Sequence, residues 1–372
     1  MARTEAASIA EKLPFDVLCH IFKYYAQTET VEHPLETLFL VCRSWSTAVQ
    51  DYSCLWSTIV IKFEDLQELK AWERRVPGRL GRCMADSLFT IQIMDLAKTP
   101  RRSVEEFKYT ITYDKLLGSL AGIDGCHIHR WQKLTAITQL NLRSRLGTYL
   151  SYPLPNLEEL DVTGIYPTGS PFPYTPMLKR FHSPSRWPSA FPDLTTIEDL
   201  GFDHNYIKEE NLVNCTSVLK VTTYNAEDAP YCIPAVFPSV THLCLSWPSG
   251  QGDEGEGYLV TPALKHLELC ARSREDFYWV IECEGLPLDQ VEQATITSKA
   301  PLFDNLEDIR EGFCALLTVM TGLKTLEVKG SIMRKLVAAM ISNEEIESLG
   351  EGDSLLDIGG NKVKLDQGVE AY

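Results

Sequence analysis

Two stretches, LEELDV at residues 157–162 and LKHLEL at 264–269, decide the fold. Each reads as an apolar residue, two others, an apolar residue, one other, and a third apolar residue. The same cassette recurs as ITQLNL (137–142), LKRFHS (178–183), IEDLGF (197–202), VLKVTT (218–223), VTHLCL (240–245), VEQATI (291–296) and LKTLEV (323–328). The second apolar positions are Leu140, Leu160, Phe181, Leu200, Val221, Leu243, Leu267, Ala294 and Leu326, spaced 19 to 32 residues apart. LKRFHS and VLKVTT lack the last apolar residue, and VEQATI has only Ala in the middle.

A period of 20–29 residues around LxxLxL is the mark of a leucine-rich-repeat solenoid. Each cassette supplies one short strand, and the residues between cassettes return the chain to the next start. One repeat cannot bury its apolar side alone, so neighbours must stack. The expected fold class is α/β, a small helical N-terminal unit followed by a curved parallel sheet. LxxLxL can also lie inside a helix, but the turn signals at Pro155-Asn156, Pro176, Pro238 and Pro262 argue against that. Leu160, Leu243, Leu267 and Leu326 should be buried in neighbouring parallel strands. Residues between the apolar ones face the opposite, concave side. That places Glu159, Asp161, Asp199, His242, Cys244, His266, Glu268 and Glu327 there as candidate target-binding residues. Acidic groups outnumber basic ones in this set, favouring a basic segment on a bound protein. Alternatively these groups are only solvated, or the binding surface is the rim of longer returns after residue 250.

The first 56 residues differ. PFDVLCHIFKYYA opens with Pro14, tolerated in a first helical turn, and carries Leu18, Ile21, Phe22 and Tyr25 as a stripe. After QTETVEHP, a second helix is marked by Leu35, Leu38, Val41, Cys42 and Trp45. DYSCLW closes the unit, and TIVIKF reads as a strand. A unit of about 50 residues hides few large apolar groups. Leu13, Leu18, Phe22, Trp45, Leu55 and Trp56 exceed that capacity, so a partner or the rest of the chain must cover some. Next come an amphipathic helix over 64–76 ended by Pro77-Gly78, a strand over 88–94, and a helix over 113–122 followed by a Gly-containing turn. The domain reading is a lead at 1–12, a helical domain at 13–57, a repeat region at 58–349 with a helix at NLEDIREGFCALLTVMTG, and a cap or tail at 350–372. The Pro-rich returns TGSPFPYTP and SPSRWPSAFP suit irregular connections, and GDEGEGY is an acidic solvated loop.

Composition narrows the function. The 372 residues carry 35 Lys and Arg against 51 Asp and Glu, a formal net charge of -16, which repels phosphate backbones and argues against nucleic acid. Eleven cysteines, scattered and without a CxxC pair, fit reduced thiols in the cytoplasm or nucleus. No apolar signal region opens the sequence and no apolar run is long enough for a membrane span. Cys126-His127-Ile128-His129 is the nearest approach to a metal cluster, but no second pair follows at zinc-site spacing. His182, His204, His242 and His266 are dispersed. GxSxG, HExxH and P-loop patterns are absent, and Glu158 and Glu159 are strand neighbours pointing opposite ways. The expectation is a non-catalytic chain with no cofactor and no metal.

Three anchors in order carry a family resemblance. Leu13-Pro14, Val17-Leu18 and Ile21-Phe22 match LPxxxLxxIF, Leu40-Val41-Cys42-Arg43-Ser44-Trp45 matches a VCRxW core, and Leu55-Trp56 matches a closing LW. The segment resembles an F-box domain, with a longer first loop. The remainder, including His129-Arg130-Trp131 before a strand, is similar to the repeat-bearing part of F-box families of mushroom-forming fungi. The resemblance implies a substrate receptor of an SCF-type ubiquitin ligase. The F-box would dock on a Skp1-like adaptor, and through it on cullin and RING subunits, while the repeats select a target protein. It implies Leu13, Pro14, Leu18, Ile21, Phe22, Leu40, Val41, Trp45, Leu55 and Trp56 as the adaptor interface or its support, some of them core. A repeat scaffold that uses Skp1 outside a ligase is the alternative.

Overall fold

The computed structural model describes residues 13–27, 34–96, 103–142, 146–165, 174–183, 194–203, 215–224, 235–246, 259–271, 273–283, 285–298, 306–330, 333, 336–337, 354–358 and 361–365. The lead at 1–12, most of the two Pro-rich returns and the acidic loop at 252–258 lie outside these residues. The chain divides into two compact units, residues 1–177 with 188–192, and residues 178–187 with 193–372.

The first unit opens with three helices, α1 (Phe15–Gln27), α2 (Pro34–Phe39) and α3 (Arg43–Asp51). The single second helix expected from sequence is thus two. Backbone bonds from Leu40 N to Thr37 O and from Val41 N to Leu38 O tighten the end of α2. Cys42 then adopts an extended conformation and caps α3. The break turns Leu40 and Val41 outward, so Val41 is not part of the buried stripe. Leu18, Phe22, Leu35, Leu38, Ala48, Val49, Leu55 and Trp56 form the core of this bundle, and the Trp56 indole donates to Val49 O at 2.9 Å.

Four parallel strands follow in the same unit: β1 (Thr58–Phe63), β2 (Phe89–Asp95), β3 (Trp131–Leu142) and β4 (Glu159–Ile165). Helices α4 (Leu66–Leu80) and α5 (Ser103–Ala121) cross over between the first three, and the short α6 (Leu146–Tyr149) precedes β4. The Asp65 carboxylate caps α4 by accepting from the backbone N of Gln67 and Glu68. Pro77 does not end this helix. It forfeits only one donor in the last turn, whose buried Arg79 and Leu80 hold it down. In β1 and β2, Ile59 and Ile61 lie beside Ile91 and Ile93, which lie beside Leu134 and Ala136. Leu134 in turn pairs with Leu160, so the repeat in β3 is centred on Leu134 and not on Leu140. Leu134 and Ala136 are buried while Ile137 is 38% exposed. Burial, and not the local Leu pattern, sets this register. The Arg130-Trp131 pair locks the start of β3. The Arg130 guanidinium donates to the carbonyls of Ser87 and Met84 and lies over the Phe89 ring, and the buried Trp131 indole donates to Leu120 O.

The second unit is built from β5 (Arg180–Ser183), β6 (Asp199–Asp203), β7 (Lys220–Tyr224), β8 (Ala235–Val236), β9 (His242–Ser246), β10 (Leu259–Val260), β11 (His266–Ala271), α7 (Arg274–Glu282), β12 (Gln293–Ser298), α8 (Leu306–Val319) and β13 (Thr325–Lys329). The last two strands are β14 (Ser354–Ile358) and β15 (Asn361–Leu365). Its main sheet runs β5-β6-β7-β9-β11-β12-β13-β15-β14, and β8 with β10 forms a small parallel pair. Every neighbour in the main sheet is parallel except the hairpin β14–β15. Residues 354–358 and 361–365 therefore extend the sheet, where the sequence left a cap or tail.

The strands stack in register because each repeat makes the same contacts. Two successive N–H groups of each strand start donate to one carbonyl of the strand before: Leu219 and Lys220 to Glu198, Thr241 and His242 to Leu219, Lys265 and His266 to Thr241. Before each strand a tight turn sets a further buried residue three positions upstream of the cassette. The pairs are Leu154 with Leu157, Leu194 with Ile197, Cys215 with Val218, Phe237 with Val240, Thr261 with Leu264, Leu288 with Val291, and Met320 with Leu323. The repeat is thus longer than LxxLxL, and Pro155, Pro238 and Pro262 occupy the first turn position after the upstream residue. Leu160, Leu243, Leu267 and Leu326 are all buried, as expected. The two weak cassettes bury Ser183 and Thr223 in the last position.

Candidate functional site

The outward residues of the second unit form two rows across the strands, because side chains alternate with period two and parallel register aligns equal positions. One row runs Arg180, Asp199, Lys220, His242, His266, Gln293, Thr325. The next runs His182, Gly201, Thr222, Cys244, Glu268, Thr295, Glu327. Asp199, His242, Cys244, His266, Glu268 and Glu327 are half-buried on this face. Glu159 and Asp161 hold the equivalent outward positions on β4 in the first unit.

The acidic residues of these rows are matched by cations and hydrogen-bond donors that the sequence reading did not count. Asp199 Oδ1 lies 2.8 Å from His182 Nε2, and its other oxygen lies 3.5 Å from Arg180. The His182 ring sits against Gly201, where an added Cβ would fall 2.6 Å from it. Glu268 Oε1 lies 2.8 Å from His242 Nε2, and the His242 and His266 rings stack with centroids 4.1 Å apart. Thr295 donates to Glu327, which also pairs with Lys329 at 3.3 Å. Glu159 pairs with Lys133 across the strands. Burial opposes the Asp199 charge, but the His182 bond and the nearby Arg180 and Lys220 outweigh it and hold its pKa below the ordinary value. The His242 bond, outweighing partial burial, holds Glu268 down to about 2. Burial and the Glu268 charge push the Cys244 thiol up to about 12, so it is protonated and unreactive. His242 and His266, dispersed in sequence, are neighbours in space.

The helical bundle presents the opposite surface chemistry. Phe15, Val17, Ile21 and Tyr24 of α1 are exposed, as are Leu40 and Val41 in the turn before α3. Val17, Ile21 and Tyr24 share one helix face. Leu40 is 86% exposed, a large cost for an aliphatic side chain left in water, since burying one is worth about 1.5–3 kcal/mol. Trp45 is half-buried and meets Phe22 edge-on at 5.0 Å.

Residues 10–62 match the F-box-like family. No curated protein matches the chain. The F-box-like segment covers the three helices, the closing Leu55-Trp56 turn and nearly all of β1. The structure sorts the ten adaptor-interface candidates within it. Leu18, Phe22, Leu55 and Trp56 are core. Leu13 and Trp45 pack against that core while partly exposed. Pro14, Ile21, Leu40 and Val41 are exposed. Phe15, Val17 and Tyr24 join the exposed set. Apolar periodicity picks out the buried face of a helix, so these three fall outside the Leu18-Ile21-Phe22-Tyr25 stripe, and Ile21, counted in that stripe, lies on the exposed face with them.

Cys126 is exposed at a tight turn. His127 packs edge-on against Phe89, and burial with the neighbouring Arg130 lowers its pKa. Asn156 donates to the His129 carbonyl, tying the turn to the approach to β4. Among the described residues, no helix is long and apolar enough to cross a membrane.

Proposed function

We propose that the chain is the substrate-recognition subunit of an SCF-type ubiquitin ligase. The F-box-like segment docks on a Skp1-like adaptor, which links it to cullin and RING subunits, and in that role the chain performs no bond chemistry. The observation that carries this reading is the exposed apolar set on a folded F-box-like bundle, with Leu40 and Val41 standing free of the core. A cluster of exposed apolar residues of this kind marks an interaction surface, and Tyr24 is of the residue type favoured as an anchor.

The same proposal takes the parallel-strand region as a leucine-rich-repeat solenoid of the kind found in the F-box families of mushroom-forming fungi. Its outward rows would select the target protein. The turn-plus-strand repeat and the regular register support this. The net charge of -16 favours a basic target on approach, while the paired rows offer both donors and acceptors at contact. The cysteines among the described residues are free thiols, in keeping with the reducing cytoplasm or nucleus as its place of action.

Co-expression of the tagged full-length chain with a Skp1-like adaptor and a cullin tests the proposal. Recovery of both is expected. Recovery of the adaptor without the cullin would favour a scaffold outside the ligase, and recovery of neither would reject adaptor docking.

A further inference from the structure

The outward rows bring together a set of donors that the sequence scatters over one repeat. Strand β9 carries His242 and Cys244 on one face, and β11 carries His266 and Glu268 on the same face. Register sets His266 beside His242 and Glu268 beside Cys244. The result is a two-by-two grid, His-x-Cys against His-x-Glu. One donor atom from each of His242, His266 and Glu268 lies within 4.8 Å of the other two. His242 Nε2 and Glu268 Oε1 are already 2.8 Å apart.

From this geometry we propose a zinc-class divalent metal site with His242, His266 and Glu268 as its three protein ligands. Tetrahedral zinc, with bonds of about 2.0–2.1 Å to nitrogen and oxygen, needs donors roughly 3.4 Å apart. Binding requires the two stacked imidazoles to rotate out of their near-parallel arrangement so that one in-plane lone pair from each converges with the Glu268 carboxylate. Two imidazoles with one carboxylate suit zinc, cobalt or ferrous iron over calcium and magnesium, which prefer all-oxygen shells, and a four-coordinate geometry is what sets zinc apart from iron.

A metal ion would replace the His242–Glu268 hydrogen bond, and any proton held there would pass to solvent. Thr295 Oγ1, 3.5 Å from His266 Nε2, links that ring to Glu327, the outer contact that steadies a metal-bound imidazole. The Lys220 charge, beside His242 in register, opposes a cation here, and the Glu327 charge near His266 favours one. The Cys244 thiol bonds to Glu268 as a neighbour of the site and is not a ligand. The side chains of His242 and Glu268 are 24% and 34% exposed, so a fourth position is open to solvent.

Zinc titration of the chelator-stripped full-length chain against a chromophoric chelator tests the site. One equivalent should bind, and His266→Gln and Glu268→Gln should each weaken it by more than about 100-fold, beyond the effect of losing an outer contact. Cys244→Ser and His127→Ala should bind as wild type does. Zinc should raise the melting temperature of wild type and not of the two ligand variants. Absence of zinc uptake, or uptake that survives both substitutions, overturns the site, and loss of binding in Cys244→Ser overturns the donor set. The visible spectrum of the cobalt-loaded wild type requires no variant. Intense four-coordinate bands are expected, and a pale six-coordinate spectrum overturns the proposal even if a variant fails to fold.

Discussion

The F-box-like bundle and the stacked strands handle apolar surface differently, although exposed apolar groups such as Ile123, Leu219 and Val236 also occur outside the bundle. In the strands, each inward Leu, Ile or Val finds an identical position on the next strand, and the outward side chains pair with one another. Leu243 and Leu267 are neighbours in register and buried, while His242 and Glu268 bond across the same two strands. The bundle instead buries eight core residues and leaves Phe15, Val17, Ile21, Tyr24, Leu40 and Val41 exposed. A repeat supplies its own complement because the next copy offers the same surface. A small bundle has no such copy, and its uncovered apolar residues fit a partner of different sequence.

The sharpest break of this comparison is at the bundle surface. Leu40→Asp with Val41→Asp should abolish adaptor capture while the melting temperature of the chain stays within about 2 °C of wild type, since exposed substitutions change stability by roughly 0.5 kcal/mol or less. Loss of adaptor capture accompanied by unfolding would assign these residues to the core. In the bundle interior the effect should be mainly on stability. Phe22→Ala, removing a buried ring that meets Trp45, should cost about 3–5 kcal/mol by denaturant unfolding of the first unit.

A strand-core substitution probes the other side. Leu267→Ala should cost about 2–5 kcal/mol and leave adaptor capture by the bundle unchanged. A fall in capture equal to that of Leu40→Asp would deny that the two regions act separately. A smaller effect is expected at Gly201, where a methyl group would press on the His182 ring. Gly201→Ala should displace that ring from Asp199 at a cost of about 1–3 kcal/mol, visible as a changed His182 imidazole signal by NMR.

The smallest effect should appear in acid. Asp199 has a folded pKa below that of the unfolded chain, so its contribution is present above the ordinary aspartate value, about 3.9. It fades as pH falls through the lower folded value. Asp199→Asn should therefore lower stability at neutral pH and flatten the acid limb below about pH 4. An acid limb as steep as wild type would show that the His182 and Arg180 contacts contribute nothing to the folded state.

The F-box-like segment was legible in sequence because LP, VCRSW and LW occur in a fixed order, each with a structural duty. Pro14 immediately precedes α1 and its carbonyl accepts from Leu18 N, Cys42 caps α3, and Trp56 seals the core. Which of those residues face outward was not legible. Helix periodicity marked Val41 as part of a continuous stripe, and only the broken α2–α3 path turns it out to solvent.

Sequence by itself determined a short strand at most of the cassettes and the inward residues of those strands, because alternation is a local property repeated along the chain. The parallel sheet decided the rest. It centred the β3 repeat on Leu134 instead of Leu140, kept α4 helical through Pro77 by burying its last turn, and set His266 beside His242 with Glu268 in reach. Lateral neighbours depend on how one backbone pairs with the next, and that pairing is fixed by burying a whole row of side chains together. No single cassette contains that information.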